Sequence, residues 1–407
     1  MSPTTILLRP RDPIIVRDAR PFAAEAGARA FTLPWPLPRT IAGTLRSHVG
    51  NTAAPRFRWT GAGADGPERA LRIEVHGPLL AAREAGEQDW TIYVPAPRDV
   101  VHFTHPSTLA DRDLAGRADF LALRPETNST TSDQPGSGCL WPENGPDLRP
   151  LTVANDYKPD ADAPEFWSLA DVCHWLTTTD RARWRARVDE QRPPRACLPA
   201  LDRQTRTHVK IERRTGTGEE GRLFSTEALT FNDWPRDEHS PRGVNVSAPG
   251  GGDGSGPGPR SQPELALVAR LQTTESWDQT PAFVPLGGER RLAVVEPGVV
   301  AWPAPSLPSS EQLTGARGIR LQLLTPAIFT DGWRPGWLAA GAPPSLDRDT
   351  CSLRLVGAAV GRRVPVSGWD LSQSGNQGAR ATDFAVPAGS VFFFEVVRGA
   401  LTPSLFE

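Results

Sequence analysis

Residues 202–231 read DRQTRTHVKIERRTGTGEEGRLFSTEALTF. Val209 and Ile211 alternate with Arg206, His208 and Lys210. A period of two puts the apolar pair on one face of a strand and the basic residues on the other. Thr215, Gly216, Thr217 and Gly218 supply a turn, because glycine takes the backbone angles a tight reversal needs. Leu223 and Phe224 continue the return strand, so the segment is expected to be a β-hairpin. Within 203–214, Arg203, Arg206, Lys210, Arg213 and Arg214 stand against a single acid, Glu212. Such a run is an electrostatic footprint for phosphate. A solvated edge strand carries similar charges to block aggregation, and the residues alone leave both readings open.

On the N-terminal side, residues 5–8 read as a short buried strand, ended by the Arg9–Pro13 turn cluster. Residues 31–38, FTLPWPLP, cannot be helix interior because proline lacks an N–H. They lead into a helix in which Ile41, Leu45 and Val49 recur at four-residue spacing and face the core. Arg39, Gly43 and Arg46 fall on another face. Glycine inside a helix costs about 0.5–1 kcal/mol against alanine, so Gly43 asks for a close approach of backbone or phosphate. Residues 71–80 and 90–94 look like paired strands. Residues 110–150 are polar and read as loops, and 166–176 as an amphipathic helix with Phe166, Leu169, Val172, Cys173 and Leu176 inward.

On the C-terminal side, 236–263 is Gly-Pro-Ser-rich and is expected to be a flexible loop. Strands resume at 265–271, 292–295, 319–324, 352–356 and 390–397. Strands separated by loops, with few helices, indicate an α+β fold. The chain has 407 residues, which suits two domains, 1–190 and 191–407, divided between the helix near 176 and the hairpin. Its 42 prolines and 37 glycines favour turns and long loops over long helices.

Net charge is −2, so any nucleic acid must be held in a local groove and not over the whole surface. Lys158 and Lys210 are the only lysines among 45 basic residues. Coding bias accounts for the count, while arginine's planar fork suits phosphates and stacks on bases. Cys139, Cys173, Cys197 and Cys351 have neither zinc-ribbon spacing nor the pattern of a disulfide framework. The first ten residues carry no apolar run or small-residue cleavage site, and no stretch of about 18 apolar residues occurs. No signal peptide and no membrane span are expected, and the location is expected to be cytoplasmic.

Other motifs in the chain have plainer readings beside the functional ones. LGGERR (286–291) offers backbone N–H groups beside Arg290 and Arg291 that could hold a phosphate, or simply a hairpin turn. The Gly-Gly-Asp at 251–253 has one carboxylate where a two-metal palm needs an adjacent pair, and reads as linker. The seven histidines show no metal spacing, and His102 with His105 has no third ligand nearby. His208 could serve a metal-free ribonuclease as general base, but that needs a second acid or base. Trp35, Trp333, Trp337 and Trp369 sit in Pro/Gly-rich loops, where an indole can stack on a base or meet a partner protein, and packing is the commoner role.

A series of segments then resembles one family. LRPRDPIIVRDARPF (8–22) and LPWPLPRTIAGTLR (33–46) are similar to the N-terminal signatures of the third subunit of the type III-B (Cmr) CRISPR effector. HGPLL (76–80) and YVPAPRDVV (93–101) resemble its next segments. The stretch 202–227 resembles the hairpin shared across the RAMP superfamily. LGGERR (286–291), LTPAIF (324–329), SGWDL (367–371) and VPAGSVFFF (386–394) complete the order. Two features depart from the pattern: 236–263 looks like an insertion, and phenylalanine replaces a tyrosine often found in the final strand.

The resemblance implies two tandem ferredoxin-like (RRM/RAMP) domains with long loops and the basic hairpin. It implies a non-catalytic, RNA-binding subunit that caps the 5′ handle of the guide RNA (crRNA). It further implies contacts with the large polymerase/cyclase-like subunit and a backbone RAMP subunit. No cofactor and no metal are expected. The RNA-binding residues it points to are Arg17, Arg20, Arg39, Gly43, Arg46, Arg203, Arg206, His208, Lys210, Arg213, Gly287, Gly288, Arg290 and Arg291. The alternatives are a RAMP-fold endoribonuclease that processes guide precursor and a purely structural scaffold.

Overall fold

The computed structural model describes residues 3–20, 22, 27–61, 63–84, 86–106, 108, 109, 118–125, 148–153, 158–161, 163–177, 197–231, 263–304, 309–336, 351–371 and 378–403. The fold is mixed α+β, mostly strands with few helices. The chain forms two compact units. Unit 1 holds Met1–Ile92, Leu201–Trp302 and Trp369–Gly378; unit 2 holds Tyr93–Ala200, Pro303–Gly368 and Ala379–Glu407. Each unit draws on both halves of the sequence, which differs from a single division at 190/191. That position, and the expected loop at 236–263 apart from Pro263, lie outside the described residues. Strand pairing explains the interleaving, because the first strand takes both its partners from beyond residue 260.

The principal elements of unit 1 are β1 (Thr4–Pro10), α1 (Pro38–Thr52), β2 (Glu74–Arg83), β3 (Arg203–Ile211), β4 (Gly218–Leu229), β5 (Glu264–Gln272), β6 (Ala282–Pro285) and β7 (Leu292–Pro297). Five strands pair antiparallel in the order β2-β5-β1-β7-β6. Central β1 is buried on both sides, so Ile6, Leu7 and Leu8 form a continuous apolar run. Helix α1 starts at Pro38, where a missing N–H costs nothing, and packs on the sheet through Ile41, Leu45 and Val49. Each such buried side chain contributes about 1.5–3 kcal/mol. The opposite face is closed by Leu7, Ala81, Ala266 and Val268 under Val300, Trp90 and Trp302. Strand β2 begins at Glu74, because Leu71 closes a short helix, Gly66–Leu71.

The hairpin forms as expected, with β3 and β4 paired from Arg203↔Leu229 to Val209↔Leu223. Its base is fastened to the N-terminal segment: Ile14 and Leu229 exchange two backbone hydrogen bonds of 2.8 Å. Arg29–Ala30 adds a short parallel strand beside Ser225 and Thr226.

In unit 2, Gly318–Gln322 and Cys351–Ala359 flank Val391–Gly399, all antiparallel. One sheet face carries Leu353, Leu355, Phe392 and Phe394; the other carries Val356, Val391 and Phe393. Ala118–Ala122, within the stretch expected to be loop, is a strand paired with Val100–Thr104. Residues 166–176 split into a strand, Phe166–Ser168, and a helix, Leu169–Thr177. The helix buries Asp171, Val172 and Trp175, with Cys173 and Leu176 only half-buried. The face is turned because Trp175 Nε1 donates to the buried Asp99, 2.9 Å away.

Candidate nucleic-acid interface

Antiparallel pairing sets Arg206 opposite Thr226 and His208 opposite Phe224. Directly opposed residues share a sheet face, so these four stand together. The His208 ring lies over Phe224, 5.1 Å between centroids and 15° from parallel. His208 Nε2 is 2.8 Å from Thr226 Oγ1, which fixes the ring's rotation. Phe22 meets Phe224 edge-on at 5.6 Å, and the Arg17 guanidinium sits 5.1 Å over Phe22. Arg206 Nε donates to Gln204 at 2.8 Å. The result is a strip of three aromatic rings, His208, Phe224 and Phe22, with an arginine at each end, Arg206 and Arg17. Such a strip can stack bases and attract their phosphates together.

Strand pairing and loop fastening build the strip. Residue 17 bridges to Thr32, Thr32 Oγ1 meets Val16, and the Thr32 N–H donates to Glu227 Oε2 at 3.4 Å. These ties carry Phe22 to the hairpin from the far end of the sequence. Arg20 belongs to the same loop, stacked over Phe31 at 4.3 Å and paired with Asp18.

The return strand narrows the positive footprint that β3 shows alone. Lys210 pairs with Glu219 at 2.6 Å, and this hydrogen bond, above all, holds the Glu219 carboxyl below its usual range. Arg222 joins Glu219 at 3.3 Å. Glu227 takes Arg29 and Arg203. Arg206 and Arg213 make no ion pair among the described residues, so they carry the unneutralised charge. The apolar face is not covered by unit 1: Val209, Ile211 and Leu223 are 46%, 52% and 56% exposed.

The glycine pair has a different duty from the one its sequence suggests. Gly287 has φ +76°, and a Cβ there would lie 2.6 Å from the Ile15 carbonyl oxygen. The Gly288 N–H donates to that same oxygen at 2.7 Å. The pair is therefore a clip on the backbone beneath the hairpin, and the Gly288 N–H is spent on protein. Arg291 is half-buried and pairs with Glu289 at 2.8 Å; Arg290 is exposed.

Helix α1 divides its three candidates. Gly43 is exposed and, among the described residues, nothing beyond its own stretch of helix lies within 4 Å of a Cβ placed there, so no backbone approach among them explains it. Thr44 Oγ1 donates to the Pro285 carbonyl at 3.0 Å, which brings this turn of α1 beside the clip. Arg39 is half-buried at the start of the helix. Arg46 points elsewhere: its Nε and Nη2 both donate to the Ile73 carbonyl, at 3.2 and 3.0 Å. Burial lowers its pKa. Arg46 thus ties α1 to the start of β2 and is not brought to the strip.

His102, His105, Trp35 and Trp333 are accounted for by packing. His102 lies on a strand, against Phe120 and Trp167, and burial lowers its pKa to about 4. His105 pairs with Asp119 at 3.2 Å. Trp35 is buried, Trp333 stacks on Phe392, and Trp369 is exposed. Trp337 lies outside the described residues. Among the described residues no cluster of three His, Cys, Asp or Glu side chains could hold a metal ion.

Phe224, Phe22 and Thr226 are the site residues that sequence reading did not single out. Phe22 ends the N-terminal signature and Phe224 lies in the quoted hairpin, so the signal was aromatic residues beside arginines.

Comparison with known proteins places this chain in a family. The family model described as CRISPR-associated protein (Cas_Cmr3) matches residues 6–404. A search of curated proteins found no match. Two solved structures contain a similar chain, the cryo-EM structures of the Type III-B Cmr-beta bound to cognate target RNA, one of them also with AMPPnP, state 1. In each the identity is 15%, the TM-score is 0.43, and the match covers 96% of this chain and 86% of that one. The family match spans nearly the whole chain and agrees with the ordered signatures: the protein belongs to the Cas_Cmr3 family of CRISPR-associated proteins.

Proposed function

We propose that this chain is a non-catalytic RNA-binding subunit of a type III-B CRISPR effector complex, acting in the cytoplasm. It caps the 5′ handle of the guide RNA and docks the large polymerase/cyclase-like subunit and a backbone RAMP subunit. The observation that carries the RNA-binding reading is the His208–Phe224 stack, flanked by Arg206 and by Phe22 with Arg17. Aromatic faces take unstacked bases and arginines take phosphates, which is how single-stranded RNA is held. Family membership supports the CRISPR setting.

Unit 1 supports a ferredoxin-like reading. Strand, helix, strand, strand and strand follow in sequence as β1, α1, β2, β5 and β7, and the sheet order β2-β5-β1-β7 is that of a β-α-β-β-α-β unit. It departs from the pattern between β2 and β5, where the β3–β4 hairpin and residues of unit 2 intervene in the chain, and between β5 and β7, where β6 stands in place of a second helix among the described residues.

The reading includes no catalytic step. The bond to Thr226 and the stack on Phe224 suit His208 to positioning a base and not to moving a proton. The test is binding of the chain with its large subunit to RNA carrying the repeat-derived handle and to a scrambled handle, at one physiological salt. Preference for the handle that weakens in Arg206→Ala/His208→Ala is the expected result. Equal binding to both RNAs, unchanged by substitution, would reduce the chain to a scaffold. Clean cutting of repeat RNA in EDTA would make it a nuclease.

A further inference from the structure

Unit 2 carries a second concentration of arginine outside the strip. Asp99 is fully buried, and its Oδ2 accepts from Arg124 Nη1 and Arg320 Nη1, both at 2.9 Å. Glu395 repeats the arrangement, with Oε2 accepting from Arg354 Nη2 at 2.7 Å and Arg149 Nη2 at 3.2 Å. Each carboxylate holds two guanidiniums, so among the described residues each node keeps one unmatched positive charge.

The two nodes share a sheet face. Arg320 is paired across from Phe393, two residues from Glu395, and Glu395 is paired across from Arg354. Arg124 and Arg149 come from the chain laid over that face: Arg124 pairs with Thr152, and Pro125 and Leu151 rest on Gly357. Arg320 is spent internally, since its Nη2 also donates to the carbonyls of Trp175 and Leu176. Arg124, Arg149 and Arg354 are partly exposed. A guanidinium has five N–H donors, and the bonds to Asp99, Leu123 and Glu395 use only some of them. The carboxylates hold the forks in place, so little rotamer entropy is lost when an oxyanion arrives.

We propose that Arg124, Arg149 and Arg354 form a phosphate-binding track on unit 2 that holds RNA backbone without regard to sequence. A polyanion with one charge per phosphate fits two neighbouring nodes that each lack one negative charge. An acidic protein segment is the competing occupant. RNA is favoured because two like nodes on one face match a repeating backbone, and arginine forks bind phosphate oxygens bidentately. The inference rests on the RNA-binding reading above.

The test uses the full chain and a fluorescein-labelled, mixed-sequence single-stranded RNA, titrated by anisotropy across a salt series. The variants are Arg149→Gln/Arg354→Gln, Glu395→Gln, and Glu68→Gln, which makes the same charge change in unit 1 beside Arg72. Loss of two phosphate contacts makes the plot of log affinity against log salt shallower by about 1.4, at about 0.7 per contact on single strands. The loss is expected to be equal for handle-bearing and scrambled RNA. Glu395→Gln is expected to tighten binding more than Glu68→Gln, a gain that unfolding cannot produce. An unchanged slope in the double variant, with Phe224→Ala still weakening RNA, overturns the track and leaves the proposed function standing. Wild-type protein that binds no RNA at low salt overturns both. A double variant that keeps its RNA affinity but loses its partner subunits assigns the face to protein docking and overturns the track.

Discussion

Phe224→Ala separates stacking from charge at the hairpin. Phe224 supports His208 at 5.1 Å and 15° on one side and Phe22 at 5.6 Å on the other, so its removal takes away the centre of the strip. A base stacked on an aromatic side chain contributes about 1–3 kcal/mol, which predicts a loss of about 5- to 150-fold in RNA affinity. No charge is removed, so the salt slope should stay where it is in the wild type. Arg206→Ala should do the reverse, making the slope shallower by about 0.7 while leaving the ring stack in place. The β3–β4 ladder rests on backbone bonds from Arg203↔Leu229 to Val209↔Leu223, so the hairpin should persist, as circular dichroism and a thermal melt would verify. The assay is anisotropy of handle-bearing RNA over a salt series. If Phe224→Ala binds within twofold of wild type while Arg206→Ala flattens the slope, the site is purely electrostatic and the stacking argument is wrong.

Three further outcomes follow from the packing. Asp99→Asn leaves the largely buried Arg320 guanidinium and the partly exposed Arg124 without their counter-charge and should destabilise unit 2 by about 3–5 kcal/mol, read from urea unfolding; a change under about 1 kcal/mol would mean the node is solvated. Gly287→Ala puts a Cβ against the Ile15 carbonyl at a backbone angle suited to glycine, and should cost about 1–3 kcal/mol of stability. Unchanged stability with lost RNA binding in that variant would restore the phosphate-cradle reading. His102 is held neutral by burial, with its pKa lowered to about 4 from 6.5. The unfolded chain therefore takes up this proton first, so stability is full above about pH 6.5 and is lost as pH falls towards 4. The loss between pH 7 and pH 5 should be about 2 kcal/mol and should vanish in His102→Phe; equal acid sensitivity in both proteins would exclude His102 as the cause.

Much of unit 1 was legible because its signals are local. The four-residue spacing of Ile41, Leu45 and Val49, the apolar run in β1 and the Thr-Gly turn of the hairpin each act within a few residues of chain. The ordered signatures likewise pointed to the family that the whole-chain match then showed. Register and long-range contact were not legible. Counting back from the Ile211↔Gly218 pair at the tip would set His208 opposite Gly221. An irregularity between Val209 and Ile211 sets it opposite Phe224 instead, and that shift creates the stack. Arg46 and Arg206 look equally available in the sequence, yet one is spent on the Ile73 carbonyl and the other is clear of acids among the described residues. Gly287 reads as a phosphate loop until the Ile15 carbonyl is seen 2.6 Å from where its Cβ would be. Periodicity and turn chemistry specify which residues form strands and helices. Which side chains are left free for RNA depends on backbone brought from hundreds of residues away, and only the assembled sheet settles it.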